Sequence, residues 1–414
     1  MSEIIVQGRI YNHVHVIVDG QEGTHSFAHV SVKRNLNTLG SIFTITFPNR
    51  WISSPDKFSL VAGKRIRVIL KEVNVLIDGF IEGISNDVDK DSHSITVTGR
   101  DKTGILIDCS PSSFPEYNNL TLREIAEKIC AQFDIKIFDL AKDNFKFAKA
   151  KFRPAETVFN FLNRLSKQRG LLINSTPIAG GGLTLANVGQ YTYKDEKLDY
   201  LNILNCSTNV NISEVFSKYT VISQTNLVTN IDGEQGEIEQ ETNVAATLSD
   251  PTARRKVGPN KYVERPLTLM AEKQSTNEQA AARVAWEHAK RLGEMLKISV
   301  LVNGWVTRDI DPTTGKFVPW RVNTKIKADY PHGGLSGTYL ISSCEYLYGA
   351  GESIKTQLTL THEDAFKPSP QAKARPSEVF NIDFTREQAL QYEKANKLKR
   401  GAVVKADLTT EDQP

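Results

Sequence analysis

Short segments in which hydrophobic and polar residues alternate fill the first quarter of the chain. Residues 13–18, 42–47 and 63–70 alternate with the period of two that β-strands require. Turn-forming pairs, Asp19-Gly20 and Pro48-Asn49, end the first two of these runs. Strands this short and this regular predict a β-sandwich or a small β-barrel.

The period changes to that of helices after residue 115. Thr121 and Glu124 have the spacing of a capping box, and apolar residues follow them at helical intervals. A second helix is predicted to open at Pro154 and to stop at Gly170. Two buried strands, at residues 171–173 and 183–186, complete a small α+β region.

The pattern returns to strands from Cys206 onwards, with one further helix predicted to start at Ser275. The Gly-rich polar stretch at 225–265 predicts a long loop or an extended hairpin that becomes ordered only in an assembly. Pro and Ser after residue 366 predict an extended linker, and residues 385–399 predict a polar helix that needs a partner.

Two stretches of the chain resemble copies of one three-strand module, each ending in a Thr-rich strand. The first is at residues 64–68, 79–84 and 95–101, and the second is at 325–328, 337–344 and 358–364. Gly79 and Gly337 open the middle strands in this alignment. A duplicated module would let three chains present six nearly equivalent faces.

Bulk properties exclude several classes of protein. At 414 residues the chain should divide into about three domains. A net charge of +3 argues against a dedicated nucleic-acid binder. The four cysteines are far apart, which favours reduced thiols over a zinc site. The first residues do not form a signal peptide, and no segment approaches the ~18 apolar residues of a membrane span.

We therefore predict a mixed, mainly β chain with two tube-like β-barrel or sandwich domains, an α+β insert between them and a C-terminal extension. The first β domain is predicted at 1–112 and the insert at 113–203. The second β domain is predicted at 204–366, with one helix and the loop near 225–265, and the extension at 367–414.

Two clusters imitate metal sites. His13 and His15 share one strand face, but no acidic residue or cysteine completes a metal-ligand spacing, so a solvent-facing pair is favoured. Asp87, Asp89 and Asp91 imitate the start of a calcium loop. Ser92 and Thr98, however, stand where such a loop needs Gly and Glu. We predict no metal and no cofactor.

Catalytic motifs are not visible. Glu363 and Asp364 are adjacent on a strand and face opposite ways, so they make a poor acid–base pair. No nucleophile elbow and no Cys–His arrangement is present. The prediction is that the protein is not an enzyme and has no catalytic residues.

Basic residues form two dense groups, which suit docking onto an acidic protein surface or lining a passage for nucleic acid. A solvated surface is the alternative for both groups. The predicted partner-interface residues are Arg254, Arg255, Lys256, Arg265, Lys394 and Lys397.

The order of several segments resembles the baseplate hub proteins of Mu-like contractile-tailed phages. This group is related to myophage hub proteins and to the N-terminal part of type VI secretion spike proteins. The segments are residues 79–81, 98–110, 152–158, 169–172, 339–341 and 358–366. No single motif is diagnostic, and the likeness spans residues 1–366.

The resemblance implies a structural hub: a homotrimer whose two modules alternate in a pseudo-sixfold ring, connecting the sixfold tail tube to a threefold spike and letting DNA pass. It implies contacts with a central spike protein, a tail tube or tape-measure protein and baseplate wedge proteins. The expected location is the virion tail baseplate, after assembly in the host cytoplasm. The family offers no catalytic residues to transfer.

Two other functions remain open. A tailocin or secretion-type injection machine would use the same mechanics. A cell-wall-binding or cell-wall-degrading tail protein would need exposed aromatic residues in a groove, for which Tyr191 and Tyr193 are the candidates.

Overall fold

The computed structural model describes most of the chain between residues 4 and 366. The described residues are 4–6, 9–11, 14–22, 27–36, 38–48, 60–70, 74–111, 113, 115–176, 181–227, 239–270, 277–312, 315–349, 354–363 and 365–366. The predicted C-terminal linker and helix lie outside these residues.

Strands dominate the described residues. In the first half they are β1 (Ile4–Val6), β2 (Arg9–Tyr11), β3 (Val14–Val18), β4 (Gln21–Glu22), β5 (His29–Asn35), β6 (Ile42–Pro48), β7 (Arg65–Leu70), β8 (Asn74–Val88), β9 (His93–Asp101), β10 (Glu116–Thr121), β11 (Lys136–Asp139), β12 (Lys146–Lys151), β13 (Leu172–Thr176), β14 (Gly182–Ala186) and β15 (Tyr191–Leu198).

The second half continues the same pattern. Its strands are β16 (Ile203–Val210), β17 (Lys218–Leu227), β18 (Glu239–Ser249), β19 (Arg255–Gly258), β20 (Lys261–Val263), β21 (Pro266–Met270), β22 (Leu296–Asn303), β23 (Val306–Ile310), β24 (Phe317–Pro319), β25 (Thr324–Tyr330), β26 (Leu335–Gly349) and β27 (Lys355–His362). The α-helices are α1 (Ile105–Asp108), α2 (Leu122–Cys130), α3 (Val158–Arg169) and α4 (Asn277–Met295).

The prediction of a mainly β chain is confirmed. Thirteen strands from both halves form one sheet, whose main path is β16-β22-β27-β26-β5-β6-β9-β8-β7-β3-β4, with β25 and β15 branching from β26. Among the described residues no sheet closes into a barrel within one chain. The two predicted β domains are therefore halves of one open sheet rather than separate barrels.

The repeated module is visible as two three-strand meanders. The first meander is β7, β8 and β9, and the second is β25, β26 and β27. The middle strand is 15 residues long in both. Arg65 lies opposite Phe80 in the first meander, and Lys325 lies opposite Leu340 in the second. The same offset holds as far as Val68 and Ala328, beyond which only the first meander shifts its register.

A β-bulge interrupts both meanders at the same place. In β8 the register shifts between Ile81 and Gly83, and in β26 it shifts between Ile341 and Ser343. A bulge places one extra residue in a strand and bends it. Each long strand therefore uses its first part and its second part to meet different neighbours.

The glycine alignment made from sequence was wrong by two residues. Ile66 pairs with Gly79, whereas its counterpart Ile326 pairs with Tyr339. Gly79 therefore corresponds to Tyr339 and not to Gly337. Gly79 also lies inside β8 and does not open it. A glycine is needed at this position because the backbone of Arg100 approaches too closely for a side chain.

The main hydrophobic core runs through both halves of the sheet. Its buried residues include Val30 and Val32 from β5, Ile81 from the first meander and Tyr346 and Leu358 from the second. A single core spanning β5 and β26 means that the two halves cannot separate without exposing apolar surface.

The insert has its own core, built from α2, α3 and strands β10–β14. The predicted capping box is present: Thr121 Oγ1 accepts from Glu124 N, and a Glu124 carboxylate oxygen accepts from Thr121 N at 2.7 Å. The predicted start at Pro154 was wrong. Ala155 has a left-handed φ of 57°, so a turn precedes the helix, and Thr157 caps it instead.

The described part of the predicted 225–265 loop is largely strand. β17 and β18 form a long antiparallel hairpin, and β19 and β20 form a second, short one. The helix α4 packs against this hairpin through Val284 and Ala280, which form a small core with Tyr219 and Val221. The predicted cap at Ser275 lies outside the described residues.

Replacement of Gly99 by alanine should destabilise the first meander. A Cβ on Gly99 would lie 2.0 Å from the carbonyl oxygen of Phe80 and 2.6 Å from the ring of Phe43. We expect the free energy of unfolding to fall by about 2–3 kcal/mol in urea denaturation. Gly258→Ala, whose Cβ would meet its nearest atom at 3.5 Å, is the control and should change little.

Candidate assembly surface

The junction between the two halves is the pairing of β26 with β5. Residues 343–349 of β26 run antiparallel to residues 29–35 of β5. On the solvent side, Lys33 Nζ lies 3.5 Å from a Glu345 carboxylate oxygen, and the Ser31 hydroxyl donates to the other at 2.8 Å. On the core side, Cys344 and Tyr346 are fully buried.

The first meander has the same edge with no strand on it. Residues 83–88 of β8 correspond to residues 343–348 of β26, because the bulges align. No described strand pairs with this edge on the side away from β9. Ile84, the counterpart of the buried Cys344, is 41% exposed, and Val88 is 68% exposed. An apolar pair on an open edge is typical of a site for strand addition.

The counterpart of β5 is β16, which lies at the other end of the sheet. β5 pairs with β6, which pairs with β9; in the same way β16 pairs with β22, which pairs with β27. Cys206 opposes Val300 as Val30 opposes Ile45, so Cys206 is the counterpart of Val30. No described strand pairs with the outer edge of β16, where Val210 is 40% exposed.

These two open edges have matching chemistry. If β8 and β16 paired in the register of the junction, Ile84 would lie opposite Val210 and Ser85 opposite Asn209. The apolar pair would continue the core, and the polar pair would take the place of Glu345 and Lys33. Apolar and neutral polar cross-strand pairs are both favourable.

One face of the large sheet is covered with hydroxyl and amide side chains. Thr46 and Thr96 hydroxyls lie 3.2 Å apart across β6 and β9, and Gln357 donates to the Ser299 hydroxyl at 2.8 Å across β27 and β22. Ser207 lies on the same face of β16 and is exposed. The face is therefore rich in hydroxyl and amide groups in both halves, and it also carries the Lys33–Glu345 ion pair.

The predicted basic interface residues lie elsewhere. Arg254 pairs with Glu264 at 2.6 Å, and Arg255 and Lys256 are exposed on the small β19–β20 hairpin. The guanidinium of Arg265 donates to the carbonyls of residues 212, 213 and 215 and lies over the ring of Phe216. Lys394 and Lys397 lie outside the described residues.

The other predicted clusters do not assemble into a site. Across the described ranges no three His, Cys, Asp or Glu side chains group as metal ligands, and His13 is not among the described residues. Tyr193 is buried in the core, and its hydroxyl donates to the Pro319 carbonyl, whereas Tyr191 is 45% exposed. In the same ranges no helix is long and apolar enough to cross a membrane.

Sequence reasoning missed the edge residues Ile84, Val88 and Val210. The signal was present, because Ile84 and Val88 are four residues apart in a strand and therefore share one face. The error of two residues in aligning Gly79 with Gly337 hid the fact that Ile84 corresponds to a buried position.

Three known domain families match the chain in consecutive order. Residues 13–101 match the N-terminal domain of Mu phage baseplate assembly proteins described as GpP-like. Residues 103–187 match the second domain of gp44-like baseplate hub proteins. Residues 276–369 match the fourth domain of Mu phage baseplate assembly protein GpP. All three descriptions name parts of a phage baseplate.

One curated relative covers most of the chain. The baseplate hub protein gp44 of Escherichia phage Mu is 26% identical over 363 residues, which are 86% of this chain and 89% of the relative. The sheet, the insert and these matches define a structural protein of a phage tail. Along most of its length the chain resembles the baseplate hub proteins of Mu-like phages.

Solved structures share the fold. The 43 kDa tail protein of prophage MuSo2 from Shewanella oneidensis has a TM-score of 0.67 at 24% identity, over 85% of this chain and 98% of that chain. An E. coli component of the type VI secretion system has a TM-score of 0.53 at 12% identity, over 86% of this chain and 79% of that chain.

Hydrogen exchange should distinguish the open edge from the junction. Leu36 N donates to Ser342 O at 2.7 Å, so Cys344 and Tyr346 also point their backbone groups toward β5. In a single chain apart from other copies, we expect the backbone amide of Tyr346 to exchange slowly and that of its counterpart Asn86 to exchange fast, as measured by NMR. Equal protection at both amides would show that the β8 edge is already covered.

Proposed function

We propose that this protein is the structural hub of a contractile phage tail, formed by three copies in a pseudo-sixfold ring. The observation that carries the proposal is the internal match between the β26–β5 junction and the two open edges at β8 and β16. A chain that already contains one such junction has the parts for a second junction with its neighbour.

The proposed ring closes by strand pairing. Each chain would contribute two four-strand units: β5, β6, β9 and β8, and β16, β22, β27 and β26. Residues 83–88 of one copy would pair with β16 of the next copy, and three such steps would close a barrel from six units. Closure removes the open sheet edges, and barrels of many strands enclose a channel.

The polar face of the sheet supports DNA passage through that channel. Neutral side chains such as Thr46, Thr96 and Gln357 would line the wall. Affinity for DNA comes mainly from cationic side chains that release counterions from phosphates. A wall of hydroxyl and amide groups would stay hydrated and hold a moving polyanion weakly.

The remaining surfaces would serve partners. In this proposal a central spike protein binds one rim of the ring, and a tail tube or tape-measure protein binds the other, with wedge proteins outside. Arg254, Arg255 and Lys256 are proposed as a docking site for an acidic partner surface. Arg265 and the C-terminal Lys394 and Lys397 are proposed to contribute to the same kind of contact.

In this proposal the protein has no enzymatic role. It is located in the virion tail baseplate and is assembled in the host cytoplasm. We keep the domain boundaries 1–112, 113–203, 204–366 and 367–414 as part of it. A tailocin or secretion-type machine would use the same ring, and the neighbouring genes would distinguish these cases. The buried position of Tyr193 gives no support to glycan binding.

Light scattering on the purified protein should give the mass of a trimer, and negative-stain images should show a six-lobed ring. Ile84→Asp should weaken each contact between copies by about 2 kcal/mol or more, because a carboxylate would face the apolar core. We expect monomers from this variant at concentrations at which the parent chain is trimeric.

Ile310→Asp is the matched control, since Ile310 is 56% exposed and lies on β23, away from both open edges. It should remain trimeric. Trimers of unchanged stability from Ile84→Asp would contradict the proposed edge, and a monomeric parent chain at all concentrations would contradict the ring.

A disulfide can test the register. The counterparts of Ser85 and Asn209 are Glu345 and Lys33, which form a non-hydrogen-bonded pair because Leu36 donates to Ser342. Cα atoms at such positions are about 4.5 Å apart, which a disulfide can bridge. Mild oxidation of the variant with Ser85→Cys and Asn209→Cys should therefore yield covalent trimers on a non-reducing gel.

The shifted pair, Ser85→Cys with Ser207→Cys, is the control for register and should not link. Native Cys206 should contribute little background, because burial raises the pKa of its thiol and keeps it protonated. Equal linking of the shifted pair, or no linking of either pair in a trimer, would contradict the register.

A further inference from the structure

We propose that a cavity between the two halves of the sheet and the insert binds a small organic carboxylate. The cavity has a volume of about 160 Å³ and opens to solvent. Arg34 from β5, Phe138 from the insert and Arg321 from the loop before β25 all line it. All three parts of the chain therefore meet at one site.

The strongest sign of a ligand is the state of Arg34. Arg34 is only 8% exposed, and its Nε atom makes no hydrogen bond. No carboxylate of the described residues forms an ion pair with it, and its guanidinium carbon lies 6.0 Å from the centre of the Tyr346 ring. A buried cation without a counter-ion is costly, so an anion in the cavity would stabilise it.

A second cation strengthens the assignment. Arg321 also lines the cavity, and its backbone N–H is already used by the Tyr193 hydroxyl at 2.8 Å. Two arginines lining one cavity suit a carboxylate or another oxyanion, because each guanidinium can offer two parallel N–H donors.

The remaining walls decide between these anions. Apolar residues, among them Val75, Phe138 and Leu140, form part of the remaining wall, and hydroxyl and amide residues such as Ser175 and Asn323 form another part. A bare inorganic oxyanion would leave the apolar part in contact with water, whereas a carboxylate on a short alkyl chain would cover it. The geometry therefore favours a small carboxylic acid over phosphate.

Calorimetric titration of the full chain with sodium butyrate tests the site, at constant ionic strength. Butyramide is the neutral control of the same shape, and sodium phosphate tests for an inorganic anion. We expect saturable binding of butyrate, and butyramide should bind about tenfold more weakly or worse, since it loses a charged hydrogen-bond partner.

Variants locate the binding. Arg34→Met should abolish butyrate binding, and Arg321→Met, which leaves the buried Arg34 in place, should weaken it about tenfold. Arg123→Met changes an exposed arginine on α2 that does not line the cavity, and this variant should bind as the parent does. If Arg34→Met does not fold, the loss measured in Arg321→Met decides.

Four results would overturn the proposal. Butyrate binding that does not saturate would exclude this site. Equal butyrate affinity of the parent chain and of Arg321→Met would exclude it as well. Equal affinity for butyrate and butyramide would exclude recognition of the charge. Tighter binding of phosphate than of butyrate would show a site for inorganic anions and refute the apolar part of the assignment.

Discussion

The pairing of β26 with β5 is the interaction on which the rest of the structure depends. It joins two copies of one module into a single sheet and lets one core run through both. The bulge at Ile341 makes it possible, because β26 can then leave β25 and meet β5. The same bulge at Ile81 sends β8 along the corresponding path, where no described strand receives it.

The insert packs against this sheet around Leu36 and Ser41. Leu36 packs with Leu172 and Leu340 in a small cluster, and Ser41 and Ser175 hydroxyls lie 3.0 Å apart. The cavity around Arg34 lies in the same region, where the insert and both halves of the sheet meet. A bound anion would therefore add a contact between the insert and the sheet, next to the strand that forms the junction.

Local features were predictable from sequence because short-range chemistry fixes them. The capping box at Thr121, the left-handed Gly170 and the alternation of the strands need only their neighbours in the chain. Edge-to-edge joining of the halves was not predictable, because Val30 and Tyr346 are far apart in sequence. The start of α3 was misplaced because Pro154 is typical of the first turn of a helix. Nothing in the side chain of Ala155 indicates the left-handed turn that it adopts.

A reconstruction of the assembled protein by electron cryomicroscopy, at a resolution that traces strands, tests the central claim most directly. The account predicts that residues 83–88 of one copy pair antiparallel with β16 of the next, with Ser85 opposite Asn209. A ring that closes through other surfaces, with the edges of β8 and β16 still open, would contradict it.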